Sequence, residues 1–82
     1  MSNHQSKAEF LEHLNALKGS THPIVLSWVK HIENMLPTVE TPDCRWCIED
    51  ALDQLREMDD NREVEDELSY HIDFLRSLIR KL

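Results

Sequence analysis

The last stretch of the chain, DNREVEDELSYHIDFLRSLIRKL at residues 60–82, decides the fold class. Within it Val64, Leu68, His71, Leu75, Leu78 and Leu82 recur at alternating steps of four and three, the seam of an amphipathic helix. Ile72, Phe74 and Ile79 widen that seam. A helix over residues 61–81 spans about 30 Å at 1.5 Å per residue. It carries the longest apolar surface in the sequence, so the other segments must cover it, or a second copy must. Asp60 with Glu63 predicts a capping pair at its start. Arg76, Arg80 and Lys81 suit the negative end of its dipole.

Working back from Asp60, the residues Asp59-Asp60-Asn61 read as a turn. Before it, Thr41-Pro42-Asp43 is a helix start: a capping hydroxyl, a proline where no N–H is needed, and an acid at the positive end of the dipole. The helix it opens is expected over about 42–58. Cys44, Ile48, Ala51, Leu52, Leu55 and Met58 mark its core side. Trp46, Asp50, Asp53 and Glu57 lie on the other side. Thr38-Val39-Glu40 reads as a connector. Pro37 disfavours helical geometry in the residue before it, which ends the preceding helix near Leu36.

That second helix is expected over about 22–36, with Thr21 or His22 as its cap and Pro23 in its first turn. Its buried face reads Ile24, Val25, Trp28, Val29, Ile32, Met35 and Leu36, with Leu26 pointing elsewhere. The first helix is expected over about 6–18. Ser6 and Glu9 form a capping box, Phe10, Leu14 and Leu17 form the stripe, and Gly19 is the stop. Met1–Gln5 is expected to be frayed. The fold class is therefore all-α: one domain over 1–82, a small four-helix bundle with a long C-terminal helical hairpin.

Composition supports this and narrows the function. The chain has 82 residues, 40% hydrophobic and 30% charged, with one Gly and three Pro. So little turn-forming residue favours long helices and few loops. No run of about eighteen apolar residues offers a membrane span. The polar start lacks the apolar centre of a signal peptide, which points to the cytoplasm. The net charge is −7. A negative surface repels nucleic acid and anionic membrane alike, so neither is expected as a direct partner. The charge is uneven: Glu40–Glu67 holds twelve acids and three arginines, a net of −9, and the remainder nets +2.

Cys44-Arg45-Trp46-Cys47 is the one short motif. Two cysteines at this spacing suit a zinc site or a dithiol, and a helix N-terminus favours the thiolate that either needs. No second cysteine pair exists, so a zinc site needs histidine. His71, on the core seam, is the first candidate and His31 the second. The plain alternative is a packed Cys44, a flanking Cys47 and a hydrogen-bonded core His71. His4, His13 and His22 read as surface residues.

The acidic band is the second feature. Asp50, Asp53 and Glu57, then Glu63, Glu65, Asp66 and Glu67, are barely interleaved with bases, so few local pairs offset their repulsion. Trp46 stands in line with the first three. An outward Trp rimmed by charge has the character of a protein-binding hot spot. The functional expectation is a small non-enzymatic acidic interaction module: an adaptor, inhibitor or regulator that binds a basic surface of a partner protein through Trp46, Asp50, Asp53, Glu57, Glu63 and Asp66. In its most specific form the acids stand in for the phosphates of nucleic acid. No cofactor is expected. The alternative is a zinc- or thiol-dependent helical module organised by Cys44 and Cys47, with His71. A homodimer through the fourth helix is a further expectation.

Overall fold

Two of the four helices start where a capping residue and a proline stand side by side. In the computed structural model, which describes residues 3–82, the elements are α1 (Asn3–Ala16), α2 (Pro23–Met35), α3 (Pro42–Asp60) and α4 (Asp66–Leu78). Short 3-10 turns extend α1, α2 and α4 over Leu17–Gly19, Leu36–Thr38 and Ile79–Lys81. No strand occurs among the described residues, and the fold is an all-α bundle of four helices.

The second and third starts are capped as expected. The His22 Nδ1 accepts the Ile24 N–H at 3.2 Å, with Pro23 at the first helical position. The Thr41 Oγ1 accepts the Cys44 N–H at 3.3 Å, with Pro42 at the first position. α1 differs: it begins at Asn3, so Ser6 lies inside the helix and the expected capping box is not its start. Asn3–Gln5 belong to the helix rather than to a frayed end, and Met1 and Ser2 lie outside the described residues. No proline or glycine separates Asn3 from Ser6, so nothing local stops the helix from extending back. At the other end Gly19 does mark the stop, without a left-handed φ; Ser20 turns extended and donates to the Leu17 carbonyl at 3.1 Å.

The largest departure is at the α3–α4 junction. α3 continues through Asp59 and Asp60 and ends in a Schellman arrangement. Arg62 adopts a left-handed backbone with φ 63°. The Glu63 N–H reaches the Met58 carbonyl and the Arg62 N–H the Asp59 carbonyl, both at 2.9 Å. Met58 and Val64 pack on the core on either side of this turn, which favours it over the Asp60–Glu63 capping pair. α4 then starts at Asp66 with no side-chain cap. At 13 residues it runs about 20 Å, so the 19-residue α3, about 28 Å, is the longest helix. The expected seam shifts accordingly. Ile72, Leu75, Leu78 and Ile79 are buried, Val64 is buried in the linker, and Leu68, His71 and Leu82 sit at the margin.

α4 packs against both α1 and α3, and α2 packs against α3. One core joins Phe10, Leu14 and Leu17 of the first segment to Val25, Val29 and Ile32, and these to Ile48, Leu52 and Leu55. Ile24, expected on the buried face of α2, is 52% exposed. The buried stripe Val25-Val29-Ile32-Leu36 passes one residue to its side. Val39, read as connector, is buried and plugs the α2–α3 corner with its N–H on the Leu36 carbonyl at 3.1 Å. The radius of gyration, 11.8 Å, matches the ~12 Å expected of a closed chain this long. The apolar residues of α4 are thus covered within the chain apart from Tyr70, which stays exposed.

Candidate interaction surface

Burial of Ile48, Ala51, Leu52 and Leu55 fixes which side of α3 faces outward. Residues 46, 50, 53 and 57 fall within about 60° of one another around a helix, so they form one outward stripe. All four are exposed, and Trp46 is 64% exposed. Trp46 is the most exposed of the large hydrophobic side chains among the described residues, with Tyr70 at 61% next to it in rank.

The acids of this band do not share one fate. Asp53 accepts two hydrogen bonds from Arg76 of α4, from Nε at 3.1 Å and Nη2 at 2.9 Å. Arg56 bridges Asp73 of α4 at 3.0 Å and Asp60 of its own helix at 3.7 Å. The expectation that few bases offset the acids holds along α3 but not across to α4. These pairs line a groove of about 500 Å3 floored by Leu52 and Ile79. Glu63 sits 3.7 Å from the His22 Nε2. Glu65 accepts from the Ser20 hydroxyl at 3.2 Å and the Thr21 N–H at 3.4 Å, and Asp59 accepts from the Ser69 hydroxyl. Among the described residues, Asp50, Glu57 and Asp66 form no ion pair.

Trp46, Asp50 and Glu57 are therefore a free stripe, with Asp53 beside them already engaged. Glu63 and Asp66 belong to the linker and the start of α4 rather than to the same face. Exposed pairs of this kind add little to stability, about 0–1 kcal/mol each. Their effect is to tie α3 to α4 and to reduce the negative field along the groove.

The cysteine and histidine candidates separate. Both thiols are free. Cys44 is half-buried, its thiol donating to the Met35 carbonyl at 3.1 Å with the Thr38 hydroxyl 3.0 Å away. Cys47 is exposed. His71 meets a different partner: its Nδ1 lies 2.8 Å from the Nδ1 of His13 on α1. His13 in turn stacks on Phe74 at 4.1 Å between ring centres. Burial, then the charge of His13, holds the His71 imidazole below its usual value. His31 is exposed and meets Trp28 edge-on. Among the described residues, no three His, Cys, Asp or Glu side chains gather where they could hold a metal ion.

Two residues with structural roles carry no sequence signal for them. His13, read as a surface residue, is half-buried as the partner of His71. Arg45, inside the cysteine motif, reaches the Leu82 carbonyl with Nη2 at 2.6 Å and so pins the end of α4's extension to the start of α3. Both contacts join residues far apart in sequence, which helical periodicity cannot see. Among the described residues no helix is long and apolar enough to cross a membrane. Comparison with known proteins returned nothing: no family model matches the chain, and no curated protein or solved structure matches it.

Proposed function

We propose that this chain is a small acidic interaction module of the cytoplasm, an adaptor, inhibitor or regulator without catalytic activity. It binds a basic surface of a partner protein through the outward stripe of α3. The observation that carries the reading is Trp46, two-thirds exposed and aligned with the unpaired Asp50 and Glu57. The indole supplies an apolar anchor and the carboxylates steer a cationic partner toward it. The segment Glu40–Glu67, with its net of −9, extends that field beyond the contact itself and speeds encounter.

The test is capture of binding partners on immobilised protein, comparing the native chain with Trp46→Ala and Asp50→Lys. Both positions are exposed, so melting is expected to change by no more than about 0.5 kcal/mol. The native chain is expected to retain a basic protein that both variants lose, and raising the salt to about 1 M is expected to release it. Retention that ignores both substitutions overturns the reading.

A further inference from the structure

Cys44 and Cys47 stand one helical turn apart at the start of α3, and the two thiols differ in kind. Cys47 is open to solvent, whereas Cys44 is half-buried. The Cys44 thiol donates to the Met35 carbonyl, and the Thr38 hydroxyl also lies 3.0 Å from its sulfur. That hydroxyl is within 3.1 Å of the same Met35 carbonyl. It can therefore swing its proton from the carbonyl onto a Cys44 thiolate without moving its oxygen. One thiol is placed to be reached from outside, and the other has a donor waiting for its charged form.

We infer that Cys44 and Cys47 are a reversible dithiol, closed to an intrahelical disulfide by exchange with a small-molecule disulfide. Residues three apart in a helix have Cα atoms about 5 Å apart, inside the roughly 4.4–6.8 Å range that a disulfide spans. Their Cβ atoms, about 5–6 Å apart, must close to about 4 Å. That movement costs least at Cys44, which lies in the first turn, where N–H groups have no partner within the helix; Cys47 lies in the second turn. Here the Cys44 N–H is held only by the Thr41 side chain, at 3.3 Å.

The chemistry is two exchanges. The Cys47 thiolate attacks one sulfur of the disulfide R–S–S–R. A Cys47–S–S–R bond forms, the R–S–S–R bond breaks, and one thiolate leaves. The Cys44 thiolate then attacks the Cys47 sulfur, closing the Cys44–Cys47 bond and expelling the second thiolate. Two protein thiols are oxidised, one small-molecule disulfide is reduced to two thiols, and the protons pass through solvent. The acidic surroundings favour a cationic disulfide as reactant.

Cystamine tests this, with the native chain incubated in cystamine and cysteamine mixtures, acid-quenched, alkylated and weighed. The expected product has lost the mass of two hydrogens, takes up no alkylating agent, and returns to the dithiol with excess cysteamine. Cys44→Ser is expected to stop at a mixed disulfide on Cys47, and Thr38→Val to slow closure. A mixed disulfide that persists in the native chain, a disulfide-linked dimer or an absence of reaction would each overturn the inference. The outcome does not depend on whether the stripe of α3 docks a partner.

Discussion

Lowering the pH loosens the joint between α1 and α4, because two imidazoles there share one hydrogen bond. With His13 and His71 facing Nδ1 to Nδ1 at 2.8 Å, one nitrogen must donate and the other accept. A first added proton leaves that bond possible; a second removes the acceptor. The ring centres are 5.1 Å apart. Two unit charges at that distance repel by about 0.8 kcal/mol in water and about 3 kcal/mol at an effective dielectric of 20. The cluster is open on one side, so screening favours a figure near about 1 kcal/mol. Losing the hydrogen bond adds up to about 1 kcal/mol, which caps the total at about 2 kcal/mol.

The direction follows from His71, whose folded value lies below 6.5 because of burial and His13. Between that lower value and 6.5 the unfolded chain binds more protons than the folded one, so stability rises with pH. The contribution is complete above 6.5 and is lost as pH falls through the folded value. The assay is urea unfolding of the native chain and of His71→Gln at about pH 7.5 and about pH 5. Carboxylate protonation affects both proteins and cancels in the difference. The native advantage is expected to shrink, by no more than about 2 kcal/mol, which bounds the melting shift at about 8–16 °C in a domain of this size. Parallel pH profiles for the two proteins would refute the shared-proton joint.

Three further outcomes are expected. Arg62→Gly is expected to raise stability by about 0.5–1 kcal/mol in urea titration, since glycine takes the left-handed backbone of φ 63° without the clash arginine meets there. Thr41→Ala is expected to cost about 1 kcal/mol by leaving the Cys44 N–H without its acceptor. A double-mutant cycle on Asp53 and Arg76 is expected to give a coupling of no more than about 1 kcal/mol that fades with added salt, because both side chains are exposed.

What was legible in the sequence was whatever neighbouring residues decide. Thr41-Pro42 and His22-Pro23 each combine a cap and a proline, and both helices begin there. The core residues of α3 follow from spacing alone, because Ile48, Leu52 and Leu55 leave only one side to bury. The start of α4 was not legible. Asp60-Asn61-Arg62-Glu63 satisfies a capping pattern, but the packing of Met58 and Val64 selects a turn with arginine in a conformation that glycine usually signals. Glu65 takes its partners from Ser20 and Thr21, more than forty residues earlier. The pairing of Asp53 with Arg76, and of His13 with His71, likewise depends on which helices become neighbours.

That later start of α4 changes what the acidic band can do. Glu63 turns toward His22, Glu65 ties the linker to the start of α2, and Asp53 spends its charge on Arg76. Of the three acids in the stripe, Asp50 and Glu57 stay uncommitted beside Trp46 on α3. Structural and docking roles therefore separate by position. Asp53→Lys opposes Arg76 and is expected to lower stability whether or not a partner exists. Asp50→Lys disturbs no ion pair of the described residues, so its expected effect falls on partner retention alone. If both substitutions weakened retention only in step with lost stability, the α3 stripe would be a solvated face, and binding would have to lie elsewhere on the molecule.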